Sequence, residues 1–332
     1  MRFIGLDLAW SVVDRSVRPP EGTRAVVRFS TEWYELLGGA AYLVNNAHFP
    51  HFFEKAEGQV YLQTWHGTPL KKIADDVADK RYFSTTYLRV MAYEAQAWSQ
   101  LVSPSPFCSE VLPRAFGYAG PVLESGYPRN DALVGPSAAA TRSDVRRALG
   151  IADDQRVLLY APTWRESAKT TRSHSKVLYL DPVEVTEALP DTVVLVRGHA
   201  NTSRTGAVAG HGTPRVLDVT LYPDINDLYL ASDALVTDYS SVMFDYSVLD
   251  RPVLLLVPDL ADYRDKLRGF YLDLDEVAPG PLLADQDALL AHLRAGPAAD
   301  AAYATARAAF RARFAPWDDG HAATRVVQAV FE

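Results

Sequence analysis

The sequence predicts an α/β fold in which two parallel sheets turn their strand ends toward one cleft. Three observations predict it. First, the run Thr192-Val-Val-Leu-Val196 is continuously apolar rather than alternating, as in strands buried on both faces of a parallel sheet. Second, two strand-like runs far apart in the chain each end in a histidine turn: Gln63-Thr-Trp-His66-Gly-Thr-Pro69 and Arg197-Gly198-His199. Third, a run at 234–237 ends in Asp238-Tyr-Ser240-Ser241. Open α/β sheets gather ligands at the carboxyl ends of their strands. A chain of 332 residues has room for two domains of about 150 residues each. The small, polar stretch 134–143 is the best boundary, giving domains 1–135 and 136–332.

Taken in order, 8–13 and 24–29 read as strands around a Pro-Pro-Glu-Gly loop, 31–38 as a short helix and 41–45 as a strand. Residues 59–64 feed His66, and Pro69 suits the first turn of a helix. A helix follows over 84–101, with Tyr87, Val90, Met91, Glu94 and Trp98 in helical spacing as a core stripe. Strand–turn units begin at Val102 and Val122. A helix at 143–149 ends on Gly150, a good C-cap residue. In the second half, 157–161, 192–196, 234–237 and 252–257 read as buried strands, and 166–176 as an exposed loop with a solvated His174. Residues 226–231 form a helix capped by Asn226 or Asp227, 241–249 another, and 298–314 and 320–331 the last two.

Histidine changes charge near neutral pH, so an imidazole at a strand end can move a proton for a substrate. The plainer reading of His66 is a satisfied turn residue. Arg197 offers a planar fork of donors to phosphate, or a salt bridge at a loop mouth. Asp238, Ser240 and Ser241 are favoured helix caps, and free N–H groups with two hydroxyls also suit an anion.

Composition narrows the class. A net charge of −8 argues against general nucleic-acid binding. A polyanionic acceptor would then need local positive charge; Lys71, Lys72, Lys80, Arg81 and Arg89 line such a groove or are simply a solvated face. Cys108 is the only cysteine. It forms no intrachain disulfide, which fits the cytoplasm, and reads as core. No Cys/His spacing calls for zinc, no phosphate-binding loop for an NTPase, and no apolar run near 18 residues for a membrane span.

Seven segments, in order, resemble the CDP-glycerol glycerophosphotransferase family, the teichoic acid glycerol-phosphate transferases. They are Gln63–Lys72, Ser103–Phe107, Gly126–Asp131, Tyr160–Arg165, Arg197–His199, Asp227–Tyr229 and Thr237–Ser241. The resemblance runs from about residue 24 to the end. It implies a GT-B-type fold of two facing Rossmann-like domains. It also implies transfer of glycerol phosphate from a CDP-glycerol donor to a hydroxyl of a polyol-phosphate or lipid-linked acceptor, with CMP released. No cofactor or metal is implied, and membrane contact is peripheral, at the inner face. By the same resemblance His66 is the catalytic base and His199 a second essential histidine at the donor. Pro162, Thr163, Arg197, Gly198, Asp238, Ser240 and Ser241 line the donor pocket, while Gly67, Thr68 and Arg129 lie at the cleft. Relative to the family, the start of the first domain reads as about one βα unit short, through a misassigned start or a reduced domain. The same cleft would serve a glycosyltransferase or sugar-nucleotide epimerase using another nucleotide, or a nucleotide-binding relic.

Overall fold

The computed structural model describes residues 6–14, 17–77, 85–163, 179–198, 214–261 and 269–331. Two parallel sheets carry the chain, as the sequence predicts. Ahead of them β1 (Ala9–Val12) and β2 (Arg24–Val27) pair as a separate parallel ribbon. The first sheet holds β3 (Tyr42–Asn45), β4 (Val60–Gln63), β5 (Gln100–Ser103) and β6 (Val122–Glu124), side by side in chain order. The second holds β7 (Arg156–Tyr160), β8 (Thr192–Val196), β9 (Val216–Asp218), β10 (Ala234–Thr237), β11 (Val253–Leu256) and β12 (Leu282–Leu283). Their spatial order is β9-β8-β7-β10-β11-β12. Counted from β7 this is the doubly wound order, which reverses between β7 and β10 and opens a ligand crevice at their carboxyl ends.

Period-two alternation explains the two-sided burial of the second sheet. Val157 and Leu159 of β7 enter one apolar core, and Leu158 and Tyr160 enter the other. Full burial of such side chains stabilises by about 1.5–3 kcal/mol each. On the first sheet Tyr61 and Leu101 face one core while Leu62 and Val102 face another. The last helix, Ala322–Phe331, covers that second face: Val326 packs with Leu62, Val102 and Tyr127. The Asp131 carboxylate fixes where this helix starts by accepting from the amides of Ala322 and Ala323.

Several elements differ from expectation. Helix α1 (Thr31–Gly39) starts on Ser30, whose hydroxyl accepts from Trp33 N. Helix α2 (Thr85–Ala97) ends earlier than the expected 101, because Gln100 already pairs into β5. Helix α3 (Pro106–Phe116) was hidden by its prolines: Pro106 sits harmlessly in the first turn, capped by Ser105, and Pro113 lies inside. No helix follows Pro69 directly; the extended stretch after it joins the second half, with Tyr271 N donating to Leu70 O and Lys72 N to Gly269 O. After α4 (Asp131–Val134), α5 (Ala138–Ala148) begins within the expected linker, since Ala138-Ala139-Ala140 favours helix. Gly150 does close it, at φ +70°.

Helices α6 (Pro182–Ala188) and Gln286–Ala295 had no counterpart in the sequence reading. The cap of α7 (Ile225–Ala231) is Asp224, not Asn226 or Asp227. Helix α8 (Val242–Tyr246) continues into one 3-10 turn, Ser247–Leu249. The expected helix at 298–314 is two, Pro297–Ala301 and Ala304–Phe314. The loop 166–176 with His174, and Lys80 and Arg81, lie outside the described residues. Cys108 is buried, and burial pushes its thiol up to about 11. No helix among the described residues is long and apolar enough to cross a membrane.

Candidate active site

Beyond Gln63 the chain leaves the sheet through a strained turn. Trp65 holds φ +52°, a left-handed conformation costly for a bulky residue. Its amide donates to Gln63 Oε1 at 2.9 Å. Its buried indole packs on Phe116, with ring centres 4.6 Å apart. The indole also meets the His66 imidazole, 4.0 Å away. This geometry delivers His66 to the surface while Gly67, Thr68 and Pro69 stay buried.

The His66 ring reaches solvent but is flanked by protein. Its Nδ1 lies 2.7 Å from the backbone oxygen of Asn46. A carbonyl only accepts, so Nδ1 carries the proton and Nε2 keeps its lone pair. Crowding by the surrounding protein is the main influence on its pKa and lowers it from 6.5; the positive fields of Arg129 and His48 act the same way, against the Asn46 carbonyl. At neutral pH the ring is therefore an uncharged base.

Opposite it stand the ends of β7 and β10. Asp238, 3% exposed, accepts from Thr163 N at 2.7 Å, and Thr237 Oγ1 donates to Ala161 O at 2.7 Å. Asp238 thus ties one strand end to the other rather than capping α8. The Thr163 hydroxyl is buried without a partner. Pro162 sits beside it, half-buried. Ser240 Oγ accepts weakly from Val242 N at 3.5 Å. Ser241 occupies the cap position of α8 but makes no side-chain capping bond.

The two halves meet at these segments. A Cβ on Gly67 would lie 3.0 Å from Ser241 Oγ, so only glycine lets the His66 turn approach this closely without displacing the serine. Thr68 is buried behind it, 3.6 Å from the Cys108 sulfur. Arg129 crosses from the first half to the second: Nη2 donates to both oxygens of Asp245 at 2.8 and 3.1 Å. Its guanidinium covers the Tyr127 ring at 4.0 Å. Asn130 donates to Asp245 and to Asp318, at 3.1 and 2.9 Å.

Arg197 turns inward. Nη1 donates to the carbonyls of Val219 and Tyr222 at 3.1 and 2.5 Å, and burial lowers its pKa. Gly198 N donates to Thr220 Oγ1 at 2.9 Å. His199 lies outside the described residues. The structure therefore brings together His66, Gly67, Thr68, Arg129, Thr163, Asp238, Ser240 and Ser241. Sequence reasoning passed over Asn46, Asp245 and Asp318. A buried aspartate on an apolar helix face must find partners, and that signal was present for Asp245. Among the described residues no three His, Cys, Asp or Glu side chains cluster as metal ligands.

Residues 3–332 match the family described as CDP-glycerol:poly(glycerophosphate) glycerophosphotransferase. A Bacillus subtilis teichoic acid poly(glycerol phosphate) polymerase is 36% identical over 97% of the chain, which spans only 44% of that protein. A Staphylococcus aureus teichoic acid glycerol-phosphate transferase is 38% identical over 92% of the chain and 80% of its own length. The structure of the wall teichoic acid polymerase TagF superposes with a TM-score of 0.88 at 34% identity, covering 99% of this chain and 81% of that one. The shared architecture is two Rossmann-like units facing across a cleft, the GT-B-type arrangement.

Proposed function

This chain belongs to the CDP-glycerol:poly(glycerophosphate) glycerophosphotransferase family, and we propose that it transfers glycerol phosphate from CDP-glycerol to a hydroxyl of a teichoic-acid-type acceptor. The observation that carries the reading is the meeting of His66–Gly67 with Ser241. It sets a neutral base from one sheet against the strand-end segment of the other. Residues 1–135 present the acceptor, and 136–332 hold the donor, the last helix returning as a strap to the first sheet.

In this mechanism the acceptor oxygen attacks the phosphorus that carries glycerol, in line with the bridging oxygen. A new P–O bond forms as the bridging P–O bond breaks, and CMP leaves with that electron pair. His66 Nε2 takes the hydroxyl proton, a contribution of about 10²–10⁴-fold. The phosphate charge is met by Arg129, by the hydroxyls of Thr163, Ser240 and Ser241, and by the unused donors of Arg197. Gly67 and Thr68 shape the approach, Asp238 and Pro162 shape the donor floor, and Gly198 borders it; His199 is assigned to the donor by family resemblance alone. No metal is needed in this scheme. A lipid-linked acceptor calls for peripheral work at the inner membrane face, and the exposed Trp10, Val13, Phe29 and Tyr34 support attachment there.

Mixing the protein with CDP-glycerol and a glycerol-phosphate-primed acceptor tests the reading. CMP release that depends on the acceptor and persists in excess EDTA is expected. CMP release only from another nucleotide donor, or none at all, would overturn it.

A further inference from the structure

The His66 turn is fastened from below by a side chain that never reaches the cleft. Gln63 is fully buried. Its Oε1 accepts from Trp65 N and its Nε2 donates to Ala47 O, both at 2.9 Å, with a longer bond from Nε2 to Tyr61 OH at 3.4 Å. Those two backbone groups bracket the base. Trp65 immediately precedes His66, and Ala47 follows Asn46, whose carbonyl holds His66 Nδ1. One amide therefore spans both segments that decide where the ring points and which nitrogen carries its proton.

The 45–49 loop is fixed at further points. Asn45 Oδ1 accepts from Ala47 N at 3.2 Å. Glu94, on α2, accepts from Phe49 N at 2.9 Å, Tyr61 OH at 2.5 Å and His48 Nδ1 at 2.7 Å. His48 in turn meets the Trp65 ring edge-on at 5.7 Å. The charged and titratable groups around the base are thus Arg129, His48 and, behind His48, Glu94.

We propose that Gln63 is a positioning residue for the transfer reaction, fixing the ring orientation and tautomer of His66 by bridging Ala47 O to Trp65 N. The consequence for turnover rests on the reading of His66 as the base. The clamp itself does not. Gln63 touches no reacting atom; it acts through two backbone segments, and a shift of about 1 Å in a reacting group is worth about 10²-fold in rate. A neutral histidine with its second nitrogen unfixed divides between tautomers, and only one of them presents Nε2 as a base.

The test is Gln63→Met, which keeps the shape and removes all three bonds, read on the whole chain by side-chain ¹⁵N spectra of labelled histidine and by steady-state kinetics with CDP-glycerol. Gln59→Met is the control. Gln59 is a buried glutamine with as many bonds, to Ala56 N, Leu37 O and Ala40 O, but away from the turn. Expected for Gln63→Met are a mixed His66 tautomer, kcat lowered about 10–100-fold and an unchanged KM for CDP-glycerol. The control should leave the tautomer and kcat as in the wild type. If Gln63→Met does not fold, Gln63→Asn, one methylene too short to reach both partners, carries the same test. A His66 that keeps its Nδ1 proton in the variant overturns the proposal. A mixed tautomer with undiminished kcat instead removes His66 as the base and leaves the clamp standing.

Discussion

At the scale of the residue, the proposed transfer turns on which form His66 holds. The site favours the neutral ring, chiefly because surrounding protein disfavours the cation, with Arg129 and His48 adding to the effect. Protonation would remove the proposed base. The direction of the shift places the acid limb of kcat/KM below pH 6.5, with activity rising as pH rises through it. A pH–rate profile with its limb at or above 6.5 would contradict this account. His66→Ala should abolish turnover and leave CDP-glycerol binding intact by titration calorimetry, since a proton acceptor serves the transition state more than the ground state. His66 was legible in the sequence because a lone histidine stood between an apolar run and Gly67 and Pro69. Its supports were not. Asn46 contributes only a backbone carbonyl, and Asp245 lies 116 residues from the arginine it holds. Asp245's place on an apolar helix face signals that it needs a partner but does not say which, and the Asn46 carbonyl leaves no local pattern at all.

At the scale of the element, the crevice proposed for the donor depends on how β7 and β10 end. Thr237 Oγ1 closes on Ala161 O, and Asp238 closes on Thr163 N. Thr237→Val keeps the shape but leaves a buried carbonyl unpaired, which should cost about 1–3 kcal/mol. Urea unfolding measures it; an unchanged midpoint at unchanged slope would show that the strand ends do not need the bond. The buried central strands were readable almost to the residue, whereas the short β9 and β12 and the start of β5 were not. β8 and β10 are fully buried, and such strands leave unbroken apolar runs. Helices with irregular signals were not readable. Pro106 and Pro113 masked α3, and the small residues that suggested a linker start α5. Local composition cannot tell a helix start tolerant of proline, or a run of alanines in a helix, from a loop. Tertiary packing decides there.

At the scale of the whole molecule, one buried polar network joins the two halves and the chain's end. Arg129 and Asn130 lie between Asp245 and Asp318, and Asp318 also accepts from Tyr127 N at 2.6 Å. Gly126 permits the fit at φ +83°; a Cβ there would come within 2.4 Å of Trp317 O. Asp318 is the group in this network whose charge is least welcome. Burial pushes its carboxyl up to about 6 and Asp245 adds to the rise, while Asn130, Tyr127 N and Arg129 oppose it. A carboxyl that holds its proton more tightly when folded than its ordinary 3.8 stabilises the fold below about pH 4. That contribution is lost as pH rises through about 6 and stays lost above it. The full swing is on the order of 3 kcal/mol. Asp318→Asn removes the titration but also one acceptor, so it adds a loss independent of pH; only the slope is diagnostic. Depressed carboxyls elsewhere, such as Asp76, contribute the opposite slope equally in both proteins. The stability of the wild type relative to Asp318→Asn should therefore fall between pH 4 and pH 6 and level off above it. Urea unfolding of both proteins across that range reads the difference directly. A constant difference would mean that Asp318 is ionised in the folded protein throughout, with Arg129 and Asn130 sufficient to hold its charge at the junction of the two halves.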